Sequence, residues 1–387
     1  MIVESFTDSR KLVVSAIEKC LRSLIDVVQR LFSGRLANLK VALGAVVISL
    51  IVNFPAYYEF NNMLSHSPIT QALNVKVQNP LSPIPAGLKE VESHNDKLEL
   101  RLTVPILGWL SGTGEWTVVI WSHLSALGVF YLLAVLANKA LDDEVGSALF
   151  VLGIGSTFFG NLFFNDFQFG DGVAFLFLHL SISSRSTLVS FGGFLAAAFC
   201  DERAVTAMPL LLVYMVLSHS GDTEKNRRRR LCVSILLGAV AWGLLRSWIA
   251  GSFHLTMGTS DLATRAIFRD QMVEAVPYVL LNVFKASWTL PLFAISSLVL
   301  LRKWRFSFAL ACAFAAAIAP AFLVADFDRS VCYTFVVLLI SLHFLWGDRD
   351  ASRKYLAGIL IVNLLLISPG VTIFRIPFKA ITGFGGW

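Results

Sequence analysis

Residues 116–138 read WTVVIWSHLSALGVFYLLAVLAN, a run without a single Asp, Glu, Lys or Arg. Its length matches the 17 to 25 residues, approximately, that an α-helix needs to cross about 30 Å of hydrocarbon. Similar runs recur on both sides of it. They are read near 39–55, 116–138, 146–164, 169–184, 188–200, 204–218, 231–250, 276–301, 306–324, 331–347 and 356–373, about eleven crossings by the hydropathy argument. The composition agrees, because 56% hydrophobic residues, 31 Phe and only 15% charged residues cannot cover the surface of a soluble globule of 387 residues. Strands of alternating polarity, as a membrane barrel would need, are not seen. The expected fold is therefore all-α, a polytopic transmembrane helical bundle.

Two parts are expected. Residues 1–37 form an amphipathic helix, since Val14, Ile17, Leu21, Leu24, Ile25, Val28, Leu31 and Phe32 recur at helical spacing while Lys19, Arg22, Asp26 and Arg30 fall elsewhere on the wheel. Such a helix lies on the membrane face or docks a partner protein. No cleavable signal is read in it. Residues 38–387 form the transmembrane part, with residues 56–115 as a long outer loop made irregular in its first half by Pro68, Pro80, Pro83 and Pro85. Ile106 to Leu110 suggest a short interfacial or re-entrant element.

Orientation follows from Lys and Arg. Clusters at Arg10 to Arg35, Lys225 to Arg230, Arg302 to Arg305 and Arg349 to Lys354 all fall on one parity of connection. The positive-inside rule makes that side cytoplasmic, together with the N-terminus. The net charge of +6 is then explained by topology and by anionic lipid headgroups, with no call for nucleic acid. Cys20, Cys200, Cys232, Cys312 and Cys332 show no CxxC spacing and give neither zinc site nor disulfide framework.

The opposite side collects acids and arginines from several spans: Glu59, Asp166, Asp171, Asp201, Glu202, Arg203, Arg265, Arg269, Asp326, Asp328 and Arg329. Charges at membrane helix ends are costly and point to a polar site. A partly buried carboxylate can act as a general base, and an arginine can hold a phosphate through two parallel bonds. Ser93 and Asp96 have capping-box spacing, which places His94, Lys97 and Arg101 on one helical face suited to a phosphate. The ordinary alternatives are helix caps, local ion pairs and snorkelling side chains. His123, His179 and His343 lie inside apolar runs without metal-ligand spacing and read as core histidines. No Walker motif, dinucleotide fingerprint or GxSxG elbow occurs.

The long outer loop after the first span, the acids and arginines on that face, and the segments HNDKLELRLTVPILGWL (94–110) and CDERAVTAMPLLL (200–212) resemble the GT-C superfamily of membrane glycosyltransferases, as seen in uncharacterised bacterial GT-C-like proteins. The resemblance implies a sugar moved from a polyprenyl-phosphate donor, with membrane lipids and that donor as partners; a bacterial inner membrane is the expectation from a compact chain in which no processed signal is read. The resemblance also implies an acidic base in the first outer loop. The matching position is Glu59 in Phe54-Pro55-Ala56-Tyr57-Tyr58-Glu59, with Asp166 and Asp171 as further base candidates. His94, Lys97, Arg101, Arg203, Arg265, Arg269 and Arg329 are then the donor-phosphate candidates, and Asp201, Glu202, Asp326 and Asp328 further acids of the site. The residues supply no resident metal site, and a divalent cation stays open as a cofactor. A transporter or flippase and a non-catalytic subunit of a membrane complex are the competing readings.

Overall fold

The computed structural model describes residues 2–53, 68–88, 98–164, 170–218, 225–256, 281–323, 327–345 and 347–366. Every regular element among them is helical. In chain order the helices are α1 (Ile2–Phe32), α2 (Ala37–Asn53), α3 (Pro68–Gln78), α4 (Thr103–Ser111), α5 (Thr117–Leu141) and α6 (Glu144–Gly155). These are followed by α7 (Asp171–Ser183), α8 (Thr187–Cys200), α9 (Met208–Ser218) and α10 (Lys225–Phe253). The last five are α11 (Thr289–Leu300), α12 (Trp304–Ile318), α13 (Phe327–Cys332), α14 (Val336–Leu342) and α15 (Arg349–Leu365).

Among the described residues four helical stretches are long and apolar enough to cross a membrane: Gly114–Leu141, Lys225–Phe253, Leu281–Leu300 and Trp304–Phe322. A fifth arises if α1 and α2, which meet at a 117° bend, are taken as one broken span. These helices fit an integral membrane protein. The expected count of about eleven crossings is not confirmed among the described residues, and the reason is local. Expected spans near 169–184 and 188–200 are helices of 13 and 14 residues, only about 20 Å at 1.5 Å per residue.

The span expected at 146–164 breaks after Gly155, where the Ser156 and Thr157 hydroxyls donate to Gly153 O at 2.8 Å and Ile154 O at 2.7 Å. The one expected at 331–347 passes from α13 through a 3-10 turn (Tyr333–Phe335) into a short α14. Side chains that bond their own preceding turn, and side chains turned toward a polar site, end these helices early.

The described parts of residues 56–115 contain helices despite their prolines. Pro68 is the first described residue of α3. The short element expected around Ile106 to Leu110 falls within α4, whose Trp109 and Leu110 are exposed. The chain between α8 and α9 is a broken pair: α8 stops at Cys200 and a 3-10 turn, Glu202–Ala207, leads into α9.

In α1, Ile25 and Val28 are buried and α1 packs against α6 and α15, while Glu18 pairs with Arg22 and Lys354. Val13, Ile17, Val27 and Leu31 stay exposed on a neighbouring flank, the amphipathic division expected of a helix lying in an interface.

Candidate functional site

Described residues from separate parts of the chain meet at one end of the bundle. Asp171 is the first residue of α7. Gly170 before it has φ +77° and a Cβ there would stand 2.9 Å from Val104 Cγ2, so glycine both makes the turn and lets the chain pass close to α4. Asp201 ends α8 in extended conformation and caps the next turn, accepting from Arg203 N at 2.9 Å. That cap bends Arg203 back, so that its Nε also donates to Asp201 Oδ1 at 2.8 Å and its Nη2 to Asp171 Oδ1 at 3.1 Å.

Arg329, from α13, completes the centre. Its Nε donates to Asp171 Oδ2 at 2.8 Å, and its Nη2 lies 2.6 Å from the same oxygen. Tyr333 OH donates to Asp171 Oδ1 at 3.0 Å, and the Arg203 guanidinium stands 5.8 Å from the centre of the Tyr333 ring. Arg101, just before α4, reaches Asp201 Oδ2 at 3.3 Å and donates to Glu202 Oε1 at 3.2 Å. Arg246 of α10 approaches Glu202 Oε2 at 4.0 Å.

Beneath the charges is an aromatic floor. Phe175 lies 4.7 Å from the Tyr333 ring, and Phe159 lies 4.8 Å from Phe175. His179 stacks on Phe335 at 4.3 Å with its ring nearly parallel. Such a floor excludes water and strengthens every charge-assisted bond above it.

Asp201 is wholly buried, so its ionisation depends on its partners. For Asp201, burial alone would raise the carboxyl pKa, yet Arg101, Arg203 and Arg329 hold it below the usual carboxylate range. Glu202 behaves alike: burial raises it, Arg101 more than offsets that, and the net direction is down. Carboxylates so held are weak proton acceptors. Their chemistry here is to fix guanidinium groups in place.

The structure thus brings together Asp171, Asp201, Glu202, Arg101, Arg203 and Arg329. Asp328 accepts from the backbone N of Arg329 at 3.1 Å. Glu59, His94, Lys97, Asp166, Arg265, Arg269 and Asp326 lie outside the described residues.

The cluster occupies the end away from the basic clusters. Arg246 is on the same helix as Lys225 but roughly 30 Å further along it, about one hydrocarbon thickness.

Three residues escaped the sequence reading. Tyr333 gave no signal, since a tyrosine in an apolar run is ordinary. Arg246 and Lys285 did, as lone cations within the apolar runs 231–250 and 276–301. Lys285 is buried with φ +48°, and its Nζ donates to Ser156 O at 2.7 Å and Asn363 O at 3.0 Å, tying three chain segments together.

The histidines serve packing: His123 and His179 donate from Nδ1 to carbonyls one turn back, Val119 O at 2.8 Å and Phe175 O at 2.7 Å. Among the described residues no group of three His, Cys, Asp or Glu could hold a metal ion. The oxygens of Asp171 and Asp201 are engaged by guanidinium groups, so the described cluster does not fit a divalent cation.

Searches against known protein families, curated proteins and solved structures find no match to this chain.

Proposed function

We propose that the chain is a multi-pass GT-C-like membrane transferase that takes a sugar from a polyprenyl-phosphate donor at the outer face of a bacterial inner membrane. In this reading the N-terminus is cytoplasmic, and the shorter helices complete the crossings that the four long ones begin. The observation that carries it is the gathering of Arg101, Arg203, Arg246 and Arg329 around Asp171, Asp201 and Glu202 at the end opposite the basic clusters. Pre-oriented guanidinium groups at interface depth suit a lipid-borne phosphate.

Asp171 and Asp201, each bonded to arginines, position those groups. The base falls to Glu59 or Asp166. In the transfer, an acceptor hydroxyl oxygen bonds to the anomeric carbon as the bond from that carbon to the phosphate oxygen breaks. The hydroxyl proton passes to the carboxylate, and the polyprenyl phosphate leaves with its added negative charge against the arginines.

Purified protein in lipid, given a radiolabelled polyprenyl-phosphate sugar, tests this. Glu59→Gln should abolish transfer while donor binding survives. Arg101→Ala, at the rim, should weaken donor binding by about tenfold or more, the loss of one charge-assisted partner worth roughly 1.5–3 kcal/mol. Absence of donor binding by the unmutated protein would sink the reading.

A second reading has its own support. Asp171 and Asp201 are bound on several sides by the chain's own cations, as in an ionic clasp that joins α7, the α8–α9 link and α13 without any substrate. The transporter and non-catalytic subunit readings both contain that clasp.

A further inference from the structure

A cavity of about 550 Å³ opens at the hairpin between α11 and α12, where Arg302, Lys303 and Arg305 share its lining with Leu298, Trp304 and Phe344. It lies away from the ion cluster. Phe344 follows α14, which leads away from Arg329, and the two helices of the hairpin belong to membrane-length stretches. The hairpin is therefore at a membrane interface, as the 60% exposure of Trp304 suits.

None of the three cations makes a side-chain hydrogen bond or ion pair with a described residue. This sets them apart from the arginines of the buried cluster, each of which holds an acid. Their setting is also built. Lys303 N donates to Leu298 O at 2.8 Å and Arg302 N to Val299 O at 2.9 Å, the bonding of a Schellman helix stop, in which the left-handed position is usually glycine. Here it is Arg302, with φ +55°. A long cationic side chain thus stands at the cavity in a backbone conformation unfavourable for it.

We propose that this cavity is a binding site for an anionic phospholipid, its phosphate held by Arg302, Lys303 and Arg305 and its acyl chains lying on the apolar wall. The assignment rests on charge complementarity within an amphipathic cavity at a membrane interface, since basic pockets between membrane helices take anionic headgroups. It stands independently of the transferase reading.

The experiment uses the full chain in detergent, mixed with equal phosphatidylglycerol and phosphatidylcholine and examined by native mass spectrometry. Retention of phosphatidylglycerol alone is expected. Arg302→Gly/Arg305→Gln should lower it at least tenfold, whereas Arg229→Gln/Arg230→Gln, which removes the same charge from the separate basic cavity lined by Thr187, Asn226, Arg229 and Arg230, should leave most of it. Arg302→Gly alone should melt no lower than the unmutated protein, because glycine suits that position, and should still retain less lipid. Equal losses from the two double variants, equal retention of phosphatidylcholine, or displacement of the lipid by stoichiometric inorganic phosphate would each overturn the assignment.

Discussion

Arg329 stands 2.6 Å from Asp171, and Arg349 stands 2.7 Å from Asp142 at the other end of the bundle. The distances are alike and the pairs are not. The Arg329 and Asp171 side chains are 5% and 0% exposed, against 61% and 93% for Arg349 and Asp142. A buried pair has lost its water and depends on its partner, so removing one member leaves a charge that nothing solvates. An exposed pair exchanges protein for water at little net gain. Contact distance thus says nothing about which pair holds the molecule together.

The strongest way to break that contrast is Asp171→Ala, which takes an acceptor from Arg203, Arg329 and Tyr333 at once. We expect a loss of about 3–5 kcal/mol or failure to yield monodisperse protein. Fluorescence-detected size exclusion and thermal melting in detergent measure it. A melt within error of the unmutated protein would mean that water reaches the cluster and the two ends do not differ.

An intermediate case sharpens the comparison. Asp143 is nearly buried and accepts from Arg353 Nε at 2.8 Å and Nη2 at 2.7 Å, while also capping α6 through Val145 N and Gly146 N. Partial burial alone would raise its carboxyl, but Arg353 and the two cap N–H groups hold it below the usual carboxylate range. The folded pKa is depressed, so its stabilisation is present above the unfolded value near about 4 and is lost as pH falls through the depressed one. Asp143→Ala should therefore cost about 1–3 kcal/mol at neutral pH and progressively less in acid. Melting curves at neutral pH and near pH 3 read both; an equal cost at the two would assign the loss to packing instead.

The helical membrane class was legible because runs such as 116–138 admit little else, and the gathering of Asp171, Asp201, Arg203 and Arg329 was approachable because each charge stands out against apolar sequence. The crossing count was not legible. Hydropathy sees that residues 146–164 are apolar; it does not see Ser156 and Thr157 turning onto their own helix or Lys285 bonding the Ser156 carbonyl. Pairing was also hidden, because Arg203 reaches across to Asp171 only after Asp201 has bent the chain, a consequence of the cap rather than of spacing. Tyr333 becomes a member of the cluster only because the helix changes to a 3-10 turn beside it.

The smallest effect is expected from the exposed pair. Arg349→Ala removes a partner from Asp142, but both side chains already meet solvent and the helix keeps its cap, since the Asp348 side chain accepts from Asp350 N at 2.9 Å. A double-mutant cycle with Asp142→Ala should give a coupling of roughly 0–1 kcal/mol, falling further in high salt as screening shortens to about 3 Å at 1 M. The measurement is the melting temperature of four proteins at low and high salt. A salt-insensitive coupling of several kcal/mol would show that exposure does not govern these pairs, and the distinction between the two ends would have to be sought in backbone caps and packing.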